Sequence, residues 1–491
     1  MSDKVNLVRL STGVPGLDNL LGGGLTEFSF SLISGAPGTG KTTLAHQIMF
    51  SLASPERKAL FFTVLGEPPL KMLRYQQQFP FFDIEKVGAS VRYVNLADSL
   101  REGDFSGVLE RIAKEVEAFS PSLVFVDSFR SVMQTARSGN EGLSDLQQFV
   151  QELGTRMTSW QATTFLIGEY VHTEIEAHPI LTVADGHISL TQTVERNSVL
   201  RKIQVVKMRG AGHMTGLHVF RMTDDGIQIF PRLLPTLGEK HELVPADRDP
   251  PRISMGIPRL DDMLCGGLPR GYSIMVTGPS GSGKTILGTA FLSEGARLGE
   301  KGVVALFEKG TARLRNAVLG RLVREGHVTI VESRTLDLSI EEILDDLMHA
   351  IRRTNAKRVV VDSLSEIGLY LAPEFREDIR AAVFRLLCEL AQGGVSVVVT
   401  TGLDDRFAEM SFSRFENAFL SDAIISMHYV ETRGEIAKVL AVAKVRGSDH
   451  SKDLRRYEIT EGGIEIGEKM SRYEGLLSGH PTVVDDLKGG P

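Results

Sequence analysis

One glycine-rich pattern, G-x-x-x-x-G-K-[ST], occurs twice in the chain, as Gly35-Ala36-Pro37-Gly38-Thr39-Gly40-Lys41-Thr42 and as Gly278-Pro279-Ser280-Gly281-Ser282-Gly283-Lys284-Thr285. Its glycines let the backbone curl until successive N–H groups point at phosphate oxygens, the lysine adds a positive charge, and the Thr hydroxyl can ligate Mg2+. The flanks suit such a loop. Alternating and then apolar residues from Glu27 to Ser34, and from Tyr272 to Thr277, predict a strand before each one. Leu44, Ile48 and Met49, and again Ile286, Leu287, Ala290 and Phe291, predict a helix after it. Strand, loop and helix N-terminus in that order predict two nucleotide-triphosphate sites with Mg2+. The first is built on Gly35, Gly38, Thr39, Gly40, Lys41, Thr42 and Thr43, the second on Gly278, Gly281, Ser282, Gly283, Lys284, Thr285 and Ile286.

The loops belong to a longer repeat. An offset of 243 residues carries Lys41 onto Lys284, Gly13 onto Gly256 and Leu17-Asp18 onto Leu260-Asp261. Further on, Leu123-Val124-Phe125-Val126-Asp127-Ser128 matches Val359-Val360-Val361-Asp362-Ser363, and Val205-Val206-Lys207-Met208-Arg209-Gly210 matches Val442-Ala443-Lys444-Val445-Arg446-Gly447. Each unit alternates apolar runs with helical periods, which predicts the α/β class: a mainly parallel sheet flanked by helices, made twice in tandem. We place the first domain at 1–230, a linker at 231–253 where Pro231, Pro235, Pro245, Pro250 and Pro251 resist helix and strand, the second domain at 254–467, and a C-terminal extension at 468–491.

The 491 residues with 42% hydrophobic content suffice for two packed cores. No stretch approaches the roughly 20 apolar residues of a membrane span, and the N-terminal Met1-Ser2-Asp3-Lys4-Val5-Asn6 lacks a signal-peptide pattern, so a cytoplasmic protein without membrane association is expected. Cys265 and Cys388 are too few for a disulfide framework or a zinc site, and both are expected to be small core residues. A net charge of −7 argues against a protein built to hold nucleic acid.

Asp127 and Asp362 each end an apolar strand, where a carboxylate can hold the water shell of a Mg2+ ion opposite Thr42 or Thr285. The opening motif, both loops, both strand-Asp-Ser motifs and both Lys-x-Arg-Gly segments together resemble the KaiC family of RecA-like ATPases over essentially the whole chain. Later stretches, Tyr429-Val430-Glu431-Thr432-Arg433-Gly434-Glu435 and Gly475 to Thr482, look like the second domain of that family. The resemblance implies a homo-oligomer, a double-ring hexamer, with ATP between neighbouring subunits. It further implies that Lys207, Arg209, Lys444 and Arg446 reach the triphosphate of the next subunit, where cations stabilise the transferring phosphoryl group. Alone, Lys-x-Arg is equally a solvated strand edge; its recurrence favours function.

For catalysis the resemblance points to adjacent glutamates after the strand that follows the loop helix, and each unit keeps one of the pair. Glu308, 24 residues after Lys284, occupies the first position, and Glu67, 26 after Lys41, the second. Glu67 is otherwise an acid at a helix start before Pro68-Pro69. Where the family's phosphoacceptor pair would fall stand Ala418 and Phe419, leaving Ser411, Ser413 and Ser421 as the nearby hydroxyls for a Ser/Thr autokinase. The mildly acidic tail after Pro481 is short, so KaiA-type tail binding is not expected, and other signalling or clock-type partners are. An ATP-gated scaffold with little turnover is one alternative to a working ATPase. A DNA motor is another, but the loop regions after the strand-Asp-Ser motifs hold few basic residues: Arg130 and Arg137 in the first, and Arg376 among Glu366, Glu374, Glu377 and Asp378 in the second.

Overall fold

The computed structural model describes residues 7–63, 69–97, 105–128, 143–169, 180–195, 198–232, 251–307, 316–332, 338–371, 375, 379–402, 421–432, 434–471, 473–474 and 482–483. The chain divides into two compact units, Met1–Arg232 and Leu233–Pro491.

Apolar runs of five to seven residues become buried strands in both. The first unit has β1 (Phe30–Gly35), β2 (Ala59–Thr63), β3 (Val91–Asn95), β4 (Leu123–Asp127), β5 (Thr163–Gly168), β6 (Gly186–Glu195), β7 (Ser198–Met208), β8 (His218–Thr223) and β9 (Gly226–Phe230). They form one sheet in the order β3-β2-β4-β5-β1-β6-β7-β8-β9. The first six strands in that order run parallel, and the last three add antiparallel hairpins. The second unit repeats this order with β10 (Ser273–Gly278), β11 (Gly302–Leu306), β12 (Val328–Glu332), β13 (Arg358–Asp362), β14 (Ser396–Gly402), β15 (Ala423–Thr432), β16 (Glu435–Val445), β17 (Arg455–Thr460) and β18 (Gly463–Lys469). The expected α/β class holds, and each loop strand lies at the centre of its sheet.

Side chains alternate across each sheet, so both faces are apolar and both are covered. In the first unit Leu32, Leu60 and Val124 face α2 (Phe105–Phe119) and α3 (Leu143–Ser159) through Ile112, Val116, Phe149 and Leu153. Ile33, Phe61 and Phe125 face the other way, onto Leu44, Ile48 and Met49 of α1 (Lys41–Leu52). In the second unit α4 (Lys284–Arg297) packs Leu287, Phe291 and Leu292 against the sheet. The helix over Ile340–Thr354 starts at a capping box, Ser339 with Glu342, and stops where Asn355 turns left-handed at φ 51°.

The repeated Leu-Asp of each opening segment has a common cause. Asp18 accepts from Ser11 Oγ and the Thr12 N–H, and Asp261 does the same with Ser254 Oγ and the Met255 N–H.

Both edges of the second domain and the setting of the cysteines differ from expectation. Arg252–Ile253 form a short strand with Leu268–Pro269, so the end of the proline-rich stretch belongs to the second unit: just after Pro251 the residues carry the N–H groups that a ladder needs. At the other end β18 runs to Lys469 and the Met470 N–H bonds the Leu454 carbonyl, so a boundary at 467 cuts a strand. Cys265 is not a core residue. It is exposed at φ 55° in the opening turn, and Cys388 is half-buried.

Candidate functional site

β1 and β10 each run straight into a glycine-rich loop, and α1 and α4 begin at its lysine. The glycines before that lysine, Gly40 and Gly283, take φ 97° and 99°, a left-handed turn that brings the helix N-terminus under the loop. A Cβ there would lie 2.7 Å from Met222 Sδ of β8, or 2.9 Å from Ile459 Cδ1 of β17, so the antiparallel hairpins back the loop closely. Thr39 Oγ1 donates to the Ala36 carbonyl at 2.9 Å, and Tyr457 Oη to the Ser282 carbonyl at 2.6 Å.

Inside the concavity, Lys41 Nζ donates to the Ala36 carbonyl at 2.8 Å, and Lys284 Nζ to those of Gly278 and Pro279 at 2.7 and 2.8 Å. Burial pushes both lysines below the ordinary lysine range, and acids oppose it: Glu169 and Asp127 in the first unit, Asp362 and Glu366 in the second.

The next residue on each helix reaches a carboxylate at the end of the second strand from the loop strand. Thr42 Oγ1 donates to Asp127 Oδ2 at 2.6 Å, and Thr285 Oγ1 to Asp362 Oδ2 at 2.6 Å. A hydroxyl beside a carboxylate is a pair of hard oxygens that fits Mg2+, an ion that takes one or two protein oxygens and completes its shell with water and phosphate. No group of three or more His, Cys, Asp or Glu occurs among the described residues, so an all-protein metal cage is not part of the site there. The two carboxylates differ in setting: Asp362 Oδ1 also accepts from Thr400 Oγ1, whereas Ile167 stands opposite Asp127. Burial pushes the Asp127 carboxyl up to about 6, against the pull of Thr42 and Lys41.

Lys207 and Arg209 lie elsewhere. Lys207 pairs with His187, which is level with Leu32, and the Arg209 N–H bonds the Asp185 carbonyl beside Phe30. Gly35 is three residues further along β1 than Leu32, so Lys207 sits roughly 10 Å short of its own loop along the sheet and two strands aside. Lys444 and Arg446 stand at the same place in the second unit.

A β-bulge precedes each pair. Pairing skips Val206 between His187/Lys207 and Ile188/Val205, and skips Ala443 between Ile424/Lys444 and Ile425/Val442. A bulge re-aims the residues after it, here onto a matched set of partners: Lys207 Nζ on the Leu181 carbonyl at 2.7 Å and Arg209 with Asp185 at 3.3 Å, Lys444 Nζ on the Ser421 carbonyl at 2.9 Å and Arg446 with Asp422 at 3.6 Å. Burial, and then the neighbouring arginine, lowers both lysines' proton affinity.

Glu67, Glu308, Ala418, Phe419, Ser411 and Ser413 lie outside the described residues, as do Arg130, Arg137 and Arg376. Ser421 is described, and its 0% exposure keeps the hydroxyl from any phosphoryl donor in this conformation. Sequence reasoning missed Glu169, Thr400 and the bulges. An acid closing the apolar run Thr163–Gly168 is the signal that could have drawn attention to Glu169; nothing in the sequence marks the bulges.

The profile of the KaiC ATPase family matches residues 10–233 and 253–471. Among curated proteins, the chain is 28% identical to the circadian clock oscillator protein KaiC of Picosynechococcus sp., over 96% of this chain and 92% of the relative. It is likewise 28% identical to that of Prochlorococcus marinus, over 99% of this chain and 98% of the relative, and to that of Parathermosynechococcus lividus, over 99% and 90%.

Proposed function

Since the chain belongs to the KaiC family of ATPases, we propose that both units bind Mg2+–ATP at the C-terminal edge of the sheet and hydrolyse it in a hexamer whose subunits complete one another's sites. The observation that carries this reading is the Thr–Asp pair beneath each loop, 2.6 Å apart in both units. Loop N–H groups and Lys41 or Lys284 bind the phosphates. When bound, Mg2+ neutralises charge on the phosphate oxygens. Asp127 and Asp362, with Thr42 and Thr285, would hold the ion, and Glu67 and Glu308 orient the attacking water. Lys207 with Arg209, and Lys444 with Arg446, stabilise charge on the triphosphate of the adjoining subunit, since each pair stands too far from its own loop to act within one subunit. The relatives are named circadian clock oscillator proteins, and we place this protein in clock-type, ATP-driven partner signalling.

Light scattering with and without Mg2+–ATP, paired with phosphate release, tests the reading. A sixfold assembly on ATP with release abolished by Lys41→Ala plus Lys284→Ala is the expected result. A monomer that releases phosphate at the same rate overturns the shared site.

A further inference from the structure

We infer that Glu169 is a second catalytic carboxylate of the first unit, presented by β5 to take the proton of the water that attacks the terminal phosphate. The inference rests on the ATPase reading above and adds a residue to it.

Sheet order places Glu169. β5 lies between the loop strand β1 and the Asp127 strand β4. Gly168 pairs with Ser34, the residue before Gly35, and Ile167 pairs with Asp127. The next residue, Glu169, therefore emerges level with the first loop glycine and just beyond Asp127, at the edge where open parallel sheets take their ligands. Side chains alternate along a strand, so Glu169 shares the face of Ile167, which packs in one cluster with Leu44 and Ile48 of the loop helix, and it is half-buried. Asp127 itself is engaged with Thr42.

The second unit supplies an internal contrast. By the same register Gly402 stands where Glu169 does, its N–H donates to Ser365 Oγ at 2.9 Å, and the hydroxyls of Ser365 and Thr401 lie 3.2 Å apart. Hydroxyls at that edge can hold water but cannot take its proton at neutral pH. Among the described residues the two units thus differ at this position, a carboxylate in the first and hydroxyls in the second.

In the step assigned to Glu169, the water oxygen forms a bond to the terminal phosphorus and the bond from that phosphorus to the β–γ bridging oxygen breaks. ADP leaves with the electron pair, and the water proton passes to the Glu169 carboxylate and on to solvent.

The test uses the full chain carrying Lys284→Ala, so that only the first site turns over. Binding of fluorescent ATP, Mg2+ affinity and single-turnover phosphate release are compared with and without Glu169→Gln, and with Glu169→Asp as a charge-preserving check that the fold survives. Expected are nucleotide and Mg2+ affinities within about twofold and a loss of release of roughly 100-fold for Gln, in the range of a lost general base, and a smaller loss for Asp. Release within about threefold of the parent, or a loss matched by weaker nucleotide or Mg2+ binding, overturns the assignment alone. No release from the Lys284→Ala parent overturns the ATPase reading of this unit, and Glu169 with it.

Discussion

Thr400 donates its hydroxyl to Asp362 Oδ1 from the neighbouring strand, while the residue opposite Asp127 is Ile167, which has no hydroxyl to give. Both aspartates keep their threonine on the loop helix, so the units share one oxygen contact and differ in the other. Removing the second contact with Thr400→Val leaves a buried carboxylate oxygen unsatisfied and should cost the second unit about 1–3 kcal/mol in denaturant unfolding. Supplying it with Ile167→Thr should bring the Asp127 carboxyl down from about 6. In a Lys284→Ala chain, the acid midpoint of Mg2+-supported nucleotide binding should then shift to lower pH. An unmoved midpoint would show that Asp127 does not control that binding.

The first unit holds two buried groups that titrate in one pH window with opposite effect. Burial raises Asp127 from 3.8 to about 6, so the folded state keeps a proton that the unfolded chain releases between those values, and this group stabilises the fold as pH falls through the window. Burial lowers His46 from 6.5 to about 4, so the unfolded chain gains a proton that the folded state refuses, and this group destabilises the fold as pH falls. Each shift is worth about 3 kcal/mol and the two nearly cancel. Asp127→Asn removes only the stabilising member. Its melting temperature should therefore drop more steeply than the parent's between pH 6.5 and 4, and parallel curves would contradict the assignment to Asp127.

Mixing experiments test the proposed sharing of sites between subunits. Arg209→Ala plus Arg446→Ala should bind ATP normally and lose roughly 10³-fold in phosphate release, the scale of a missing arginine in P-loop enzymes. Lys41→Ala plus Lys284→Ala should neither bind nor hydrolyse. If each pair serves the adjoining subunit, mixed assemblies of the two variants regain release at interfaces that join an intact loop to an intact arginine. Mixtures no more active than their components would place the arginines outside the reaction.

Glu308→Gln, made in a Lys41→Ala chain so that only the second site works, should keep ATP binding and lose most turnover, about 100-fold or more, as expected when a water-orienting carboxylate becomes an amide. Turnover near the parent's would remove Glu308 from the chemistry.

Much of this was legible in the residues. Local pattern was enough for the loops, the strands and helices around them, the tandem repeat and the Thr–Asp partnership, because each depends on spacing along the chain or on a strand ending in an acid beside a known neighbour. The aspartate of each opening segment is equally local, bonding residues six or seven positions away.

What tertiary structure alone decided depends on residues far apart in sequence. Ile167 and Thr400 acquire meaning only when β5 and β14 lie against Asp127 and Asp362, and Glu169 only when β5 is inserted between β4 and β1. A bulge is a mismatch between two strands, so neither strand's sequence contains it, yet Val206 and Ala443 set the direction of Lys207 and Lys444. The sequence determined that the chain has two phosphate loops; sheet order and register determined which side chains stand beside them, because hydrogen-bonded pairing places residues by neighbour and not by distance along the chain.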